Sequence, residues 1–123
     1  MPKRVLIVDD EPNIVVSLEY LMKKEGFEVA VAGDGDAALA QVANFKPDLV
    51  LLDIMMPNKS GYEVCEAVRA NPDLAGVRIV MLTAKGRDLE VAKGMALGAD
   101  AYVTKPFSTK DLVSLVKALL ENR

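Results

Sequence analysis

The fold is decided by the stretch Asp48-Leu49-Val50-Leu51-Leu52-Asp53-Ile54-Met55-Met56-Pro57. Its four consecutive branched apolar residues are typical of a strand buried on both faces, as in the middle of a parallel sheet. Asp53 therefore stands where a central strand leaves the core. Ligands of open α/β sheets bind outside the carboxyl ends of the strands, so an acid at this place is a candidate for chemistry as well as for a helix cap.

Apolar periodicity on either side of this stretch predicts four further strands and five helices. The further strands are predicted at residues 4–8, 27–31, 77–82 and 101–103. The helices are predicted between Pro12 and Gly26, over 34–45, from a cap at Ser60 through Ala70, over 88–97 with Gly98 closing it, and after a cap at Ser108. Residues 83–86 are predicted to form the turn after the fourth strand.

Strands and helices that alternate through short loops indicate a parallel sheet with helices on both faces, because crossover connections are right-handed. The first, third and fourth strands are the most apolar or the longest, which places them in the middle. The predicted fold class is therefore α/β: a five-stranded parallel sheet in the order 2-1-3-4-5, flanked by five helices, as a flavodoxin-like three-layer sandwich.

Composition sets the outer bounds on function. With 123 residues, 51% of them hydrophobic, residues 1–123 are expected to form one domain. No apolar run approaches the roughly 18 residues of a membrane span and no signal-peptide core is visible, so the domain is expected to be soluble and cytoplasmic, without a membrane partner. The net charge of −3, with the acid excess in the first half, argues against direct nucleic-acid binding.

Two residue counts exclude further chemistry. The chain contains no histidine, which excludes histidine-based nucleophilic triads, histidine-containing zinc sites and a phosphohistidine carried by this chain. Cys65 is the single cysteine, so an internal disulfide is impossible. Because Cys65 falls within a helical pattern, it is predicted to be a small core residue.

Polar side chains follow four of the five predicted strands, at the carboxyl edge that ligands use. They are Asp9, Asp10, Asp53, Thr83 and Lys105. Carboxylates about 4 Å apart repel by roughly 4 kcal/mol per pair at an effective dielectric near 20, so such a site must hold a proton or recruit a cation. Oxygen ligands without a nearby histidine favour a hard ion, Mg²⁺ first.

Together these groups match the requirements of in-line phosphoryl transfer. The metal and Lys105 would neutralise phosphoryl oxygens while Asp53 attacks as nucleophile. Taken singly, each residue also has a structural interpretation. Asp9 and Asp10 would then cap a helix, Thr83 would end a strand, and Lys105 would be a solvated surface charge.

A second motif points to a different function. Residues 33–38 read Gly-Asp-Gly-Asp-Ala-Ala, which fits the G-x-G-x-x-A pattern of a dinucleotide fingerprint, and Asp53 lies twenty residues after Gly33. However, Asp34 and Asp36 would place two negative charges where a pyrophosphate must rest, and a complete strand-helix unit precedes the pattern. The glycines are therefore predicted to serve a tight turn.

With these residues in hand, the whole chain resembles the receiver domain of bacterial two-component response regulators. The matching motifs are Val5-Leu6-Ile7-Val8-Asp9-Asp10-Glu11, Asp53-Ile54-Met55-Met56-Pro57 with Gly61, Leu82-Thr83-Ala84, Gly98-Ala99-Asp100-Ala101-Tyr102 and Lys105-Pro106-Phe107. The resemblance implies that Asp53 accepts a phosphoryl group from a sensor histidine kinase or a histidine phosphotransfer protein. It also implies that Asp10, Asp53 and the backbone carbonyl of Met55 hold Mg²⁺, with Asp9 acting through a metal-bound water.

The resemblance further implies how the phosphoryl group is read. Thr83 and Lys105 would contact it, and Tyr102 would turn inward as Thr83 moves, which switches the surface of helix four, strand five and helix five. The bond between Lys105 and Pro106 is expected to be cis. The reaction would be a self-catalysed transfer to Asp53 followed by slow autodephosphorylation, without turnover of a separate substrate.

Two alternative functions stay open at this stage. One is a receiver-shaped interaction scaffold that is never phosphorylated, against which the intact acid pair, Asp53, Thr83 and Lys105 argue. The other is a Mg²⁺-dependent aspartyl phosphatase. Such an enzyme usually requires a second aspartate two residues after the first, where this chain has Met55.

Two expectations concern lifetime and assembly. Met55 and Lys85, two residues beyond Asp53 and Thr83, are expected to govern the lifetime of the phosphate. Ala101 and Leu115 stand where receivers attached to winged-helix DNA-binding domains are expected to carry an acid and a base. The domain is therefore expected to be a monomer or a weak phosphorylation-dependent dimer, with an output domain or downstream protein using the same face.

Overall fold

The computed structural model describes residues 2–56, 59–84 and 86–121. In chain order the elements are β1 (Arg4–Val8), α1 (Pro12–Lys24), β2 (Glu28–Ala32), α2 (Gly35–Phe45), β3 (Leu49–Asp53), α3 (Gly61–Ala70), a 3-10 turn (Pro72–Leu74), β4 (Arg78–Ala84), α4 (Asp88–Ala96), β5 (Ala101–Lys105) and α5 (Thr109–Glu121). Two residues of the sequence analysis lie outside the described residues. They are Pro57, the last residue of the opening stretch, and Lys85, which was predicted in the turn after the fourth strand.

The five strands form one parallel sheet in the order β2-β1-β3-β4-β5, which confirms the predicted topology. All five residues of β3 are buried, as the opening stretch of sequence predicts for a central strand. The register places Val8 beside Leu52, and Asp53 beside Leu82 of β4. The carboxyl ends of the three central strands therefore meet at one edge of the sheet.

Alternate residues of the central strands supply two separate cores, because successive side chains of a strand point to opposite faces. One core joins Leu6, Leu52 and Met81 to the inner faces of α2 and α3. The other joins strand residues such as Ile7 and Leu51 to α1 and α5. The unbroken apolar run of β3 is explained by this arrangement, since both faces of that strand are covered.

Cys65 of α3 lies in the first of these cores, as predicted for a lone cysteine. Burial raises the pKa of its thiol, and the nearby Arg69 only partly offsets that effect. The thiol is therefore packed as an apolar group.

Two strands extend further than their apolar runs predict. β4 continues through Thr83 and Ala84, and β5 continues to Lys105. The reason is pairing, because Thr83 lies opposite Thr104 and Ala84 opposite Lys105 in the ladder. The predicted positions were therefore wrong in detail: Thr83 lies within its strand rather than in the following turn, and Lys105 is the last residue of β5 rather than following it.

The helix ends follow the sequence closely. Ser60 and Glu63 form a reciprocal capping box at the start of α3, and the Ser108 hydroxyl accepts a hydrogen bond from the Asp111 N–H at the start of α5. Gly98, with φ near +110°, closes α4. The caps predicted at Ser60 and Ser108 are confirmed.

The glycine-rich motif of residues 33–38 has a structural role. The Asp34 carboxylate accepts a hydrogen bond from the Ala37 N–H at 2.8 Å and caps α2, so a negative charge already occupies the place of a pyrophosphate. A Cβ atom on Gly35 would collide with the Lys59 backbone. Close approach between two chain segments therefore explains Gly35, while Gly33 lies in the two-residue connection between β2 and α2.

An ion-pair cluster fixes the corner between α4 and β5. Asp100 accepts a hydrogen bond from the Ile79 N–H at 2.8 Å and pairs with Arg69 of α3 at 2.9 Å and with Arg78 at 3.4 Å. The Arg69 Nε–H also donates to the Gly98 carbonyl at 2.8 Å. This cluster ties the start of β5 to both β4 and α3.

Two further backbone observations complete the fold. The Lys105-Pro106 peptide bond is cis, as the resemblance implied. No helix among residues 2–56, 59–84 and 86–121 is long and apolar enough to cross a membrane.

Gly61 fixes the connection between β3 and α3. Its N–H donates a hydrogen bond to the Ile54 carbonyl at 2.9 Å, and a Cβ atom at this position would collide with the Asp53 carbonyl oxygen. The backbone of Asp53 is thus packed directly against the start of α3.

Substitution of Gly61 by alanine is expected to destabilise the domain by about 1–3 kcal/mol, because the backbone of β3 must shift to admit a methyl group. Gly33→Ala is the matched control, since no heavy atom lies within 4 Å of the added Cβ. Urea unfolding of both variants measures the difference. Equal stability of the two variants would contradict the close packing at Gly61.

Candidate functional site

The acidic residues of the site are positioned by the ends of β1 and β3. Asp9 follows β1 directly, and its N–H donates to the Ala32 carbonyl at 3.2 Å, which extends the ladder by one residue. Asp53 is the last residue of β3. Both acids are buried, with exposures of 1% and 6%, whereas Asp10 is exposed. The sheet therefore carries two carboxylates into a poorly solvated place.

The structure brings the three predicted acids together. One carboxylate oxygen from each of Asp9, Asp10 and Asp53 lies within 4.8 Å of the others. Such a cluster of oxygen ligands, two of them buried, fits a hard divalent cation. These residues could therefore hold a metal ion between them.

Lys105 supplies positive charge from the end of β5. Its Nζ lies 2.8 Å from Asp9 Oδ2, 3.6 Å from Asp53 Oδ1 and 3.3 Å from Glu11 Oε1. Glu11 was absent from the predicted site residues. The available signal was its place in the acidic run between β1 and the helix predicted to begin at Pro12. A single ammonium group is thus shared by three carboxylates.

Asp53 has a strongly perturbed acidity. Burial and the nearby charge of Asp9 raise the pKa of the Asp53 carboxyl to about 7, although Lys105 and the Met55 N–H oppose that change. Burial lowers the pKa of Lys105, but its contacts with Asp9, Asp53 and Glu11 outweigh burial and raise that pKa. Asp53 therefore ionises near neutral pH unless further positive charge arrives.

Met55 lies beside the acid, as its sequence position implies. Its N–H donates a long hydrogen bond of 3.4 Å to Asp53 Oδ1. Its side chain is 65% exposed at the rim of the site. The role of its carbonyl as a metal ligand stays a prediction.

Thr83 and Lys105 line the same cavity as Asp53. This cavity has a volume of about 290 Å³ and is open to solvent on one side. Thr83 is buried, and its hydroxyl donates a long hydrogen bond of 3.5 Å to the Ala84 carbonyl, its one contact of this kind within the described part of the chain. Arg87 and Glu90, which sequence reasoning did not select, also line the cavity.

Tyr102 is placed apart from these groups. It is 48% exposed and lines a different surface cavity together with Phe107 and Leu115. In the ladder it lies opposite Met81, two residues before Thr83. Its predicted movement together with Thr83 stays a prediction.

A flavodoxin-like α/β sandwich with a buried acidic cluster at the carboxyl edge of its sheet is the class that this fold and site define. The chain belongs to the response regulator receiver domain family, whose family model matches residues 5–117. It is thus a receiver domain of the two-component response regulators.

Individual relatives and solved structures support this family assignment. The DNA-binding response regulator MtrA of Mycolicibacterium smegmatis is 48% identical over 98% of this chain and 51% of that protein. The chain thus spans about half the length of the curated relatives it matches. The CheY-like receiver domain protein of Methanospirillum hungatei has a TM-score of 0.91 and 32% identity, covering 99% of this chain and 96% of that one. Chemotaxis response regulator CheY4 of Vibrio cholerae has a TM-score of 0.90 and 30% identity, covering 97% and 99%.

The raised pKa of Asp53 predicts a pH-dependent effect of Asp53→Asn in EDTA. The proton bound with a folded-state pKa of about 7, against a usual value of 3.8, stabilises the native state below pH 4, and that contribution is lost as pH rises through 7. Asparagine never ionises, so its effect on folding does not change with pH. The free energy of unfolding of the variant relative to wild type should therefore rise by roughly 2–4 kcal/mol from pH 5 to pH 8.

Urea unfolding at both pH values measures this gain. Asp73→Asn, in the exposed turn after α3, removes the same charge outside the site and serves as the control. A gain from Asp53→Asn that is the same at pH 5 and pH 8 would refute the perturbed ionisation.

Proposed function

We propose that Asp53 is the phosphoacceptor of this receiver domain. The observation that carries the proposal is the position of Asp53. It is a buried strand-end carboxylate that shares Lys105 with Asp9 and lines one cavity with Thr83. An Asp53 oxygen forms a bond to phosphorus while the bond from phosphorus to the imidazole nitrogen of a donor phosphohistidine breaks, and the imidazole keeps the electron pair.

Asp10, Asp53 and the Met55 carbonyl are proposed to hold Mg²⁺, with Asp9 acting through a metal-bound water. The three clustered carboxylates support this assignment, because oxygen ligands of high charge density suit a small hard cation. The ion would supply charge neutralisation for the phosphoryl oxygens. Asp9 would meanwhile hold Lys105, its partner at 2.8 Å, at the edge of the site.

Lys105 and Thr83 are proposed to contact the phosphoryl group on Asp53. Lys105 lies 3.6 Å from Asp53 Oδ1, near enough to move from the carboxylate to a phosphoryl oxygen. The buried Thr83 hydroxyl makes a long contact of 3.5 Å with the carbonyl of its neighbour, so a phosphoryl oxygen would offer it a better partner.

The surface of α4, β5 and α5 is proposed to change shape on phosphorylation, with Tyr102 turning inward as Thr83 moves. α4 is lightly attached, because Gly94 is its one buried residue. An element with so little buried surface shifts at low cost, which suits a switch between two arrangements. Tyr102, exposed on β5, has room to change its orientation.

A sensor histidine kinase or histidine phosphotransfer protein is proposed as the phosphodonor, and the domain itself is proposed to act in the cytoplasm. The DNA-binding relatives are about twice as long as this chain, so an output domain or a downstream protein is proposed to use the face of α4, β5 and α5. Ala101 and Leu115 cannot form a charged pair on that face. The domain is therefore proposed to be a monomer or a weak phosphorylation-dependent dimer.

The phosphoacceptor assignment is tested with acetyl phosphate and Mg²⁺, followed over time by intact mass. Wild type should gain one phosphoryl group and Asp53→Asn none, because Asp53 is a buried carboxylate that faces the cavity together with Thr83 and Lys105, whereas the buried Asp9 is not part of the described lining. Asp73→Asn should label as wild type does. An unlabelled wild type would favour the scaffold alternative, and equal labelling of Asp53→Asn would move the acceptor elsewhere.

The metal assignment predicts opposite responses with and without Mg²⁺ for Asp10→Ala. Without metal the variant should be as stable as wild type or more so, because a repelling carboxylate is gone. With Mg²⁺ at a hundredfold excess over its dissociation constant, wild type should gain about 2.7 kcal/mol and the variant much less. Thermal unfolding with and without Mg²⁺ measures both, and an equal gain for the variant would exclude Asp10 as a ligand.

Met55→Asn is expected to shorten the lifetime of the phosphate several-fold. The exposed thioether cannot orient an attacking water, whereas an amide at the same rim position can. Loss of phosphoryl mass after removal of the donor gives the rate. An unchanged lifetime would reject this role for Met55. The companion position, Lys85, lies outside the described residues.

A further inference from the structure

Two residues that line the cavity of Asp53 and Thr83 have no role in the proposed mechanism. Arg87 and Glu90, at the start of α4, line it beside Lys105. Among residues 2–56, 59–84 and 86–121, Arg87 contributes the only guanidinium to that lining. A guanidinium presents a planar fork of donors that matches phosphate oxygens.

Arg87 is held loosely where it is. Its Nη1 lies 3.5 Å from Glu90 Oε2, and its side chain is 58% exposed. An exposed pair of this length contributes little stability, so the guanidinium can leave Glu90 for a better anionic partner at low cost.

Glu90 is held more firmly than its partner. The Tyr62 hydroxyl of α3 donates a hydrogen bond to the Glu90 backbone carbonyl at 3.2 Å, and Lys93 Nζ lies 4.4 Å from the centre of the Tyr62 ring. Two side-chain contacts thus join α4 to α3 beside the cavity, although Gly94 is the one residue that the helix buries. Arg87, which directly precedes the helix, lies at the cavity rim.

The balance of charge in the cavity favours a new role for Arg87. Among the described residues, the cavity is lined by four acids, namely Asp10, Glu11, Asp53 and Glu90, and by two cations, Lys105 and Arg87. Lys105 is already shared by three carboxylates, whereas Arg87 pairs with one exchangeable glutamate. An arriving phosphoryl group brings further negative charge, and of these two cations Arg87 is the more available to meet it.

We propose that Arg87 binds the phosphoryl oxygens of small acyl phosphate donors, and that Glu90 competes with the donor for its guanidinium. The inference rests on the proposed function of Asp53. An Asp53 oxygen bonds to phosphorus, the bond from phosphorus to the acyl oxygen breaks, and the departing carboxylate keeps the electron pair. Arg87 neither gains nor loses a proton in this step.

The test measures the rate of Asp53 phosphorylation against acetyl phosphate concentration for wild type, Arg87→Gln, Arg87→Lys and Glu90→Gln. The second-order rate constant should fall roughly three- to tenfold in Arg87→Gln and less in Arg87→Lys, which keeps the charge but loses the fork. It should rise in Glu90→Gln, which frees the guanidinium. Lys24→Gln, at the far end of α1, removes one positive charge outside the cavity and should behave as wild type.

Opposite signs for the two partners separate donor binding from a structural role. If the pair of Arg87 and Glu90 only steadied α4, removing either side chain would change the rate in the same direction, and that result would overturn the inference. A rate in Arg87→Gln equal to that of wild type would overturn it as well, while leaving Asp53 as the acceptor. Failure of wild type itself to label would instead refute the proposed function.

Discussion

The ammonium group of Lys105, shared between Asp9 at 2.8 Å and Asp53 at 3.6 Å, is the interaction on which the rest of the site depends. Two buried carboxylates at neighbouring strand ends repel each other and lose solvation, so the carboxyl edge of the sheet needs a cation close by. The parallel topology makes this possible, because the ladder carries Lys105 to the same edge as both acids. Burial of the central strand ends thus creates the repulsion between Asp9 and Asp53, and Lys105 at the end of β5 partly neutralises it.

One lysine does not balance the acids it touches, and the remaining imbalance gives the site its chemistry. The pKa of Asp53 rises to about 7 because burial and Asp9 outweigh Lys105. A divalent cation held by the clustered carboxylates would favour the ionised form of Asp53, which is the form that can attack phosphorus. Because carboxylates outnumber the ammonium group of Lys105 that they share, any cation that moves toward Asp53 also favours its ionised form. α4, with Gly94 as its one buried residue, has the fewest buried residues of the five described helices and begins beside the cavity.

The sequence predicted the sheet order because the apolar run of β3 and the alternating elements around it allow few other arrangements. It placed Thr83 and Lys105 just beyond their strands, because periodicity detects where apolar residues stop and not where ladder pairing stops. Local patterns in the sequence do not predict contacts between distant residues. The ion pair between Asp100 and Arg69 and the position of Arg87 at the cavity are therefore seen only in the structure. Glu11 was missed because an acid directly before the predicted helix start at Pro12 is common without any tertiary contact, and its pairing with Lys105 is a long-range contact.

The most direct measurement is to trap the phosphorylated domain by borohydride reduction, which converts an aspartyl phosphate to homoserine, and to locate that residue by peptide mass spectrometry. Reduction after incubation with acetyl phosphate and Mg²⁺ should place homoserine at position 53, with aspartate unchanged at positions 9 and 10. Omission of Mg²⁺ should abolish the conversion. Homoserine at position 9 or 10, or its absence from position 53 in a protein that has gained phosphoryl mass, would contradict the account.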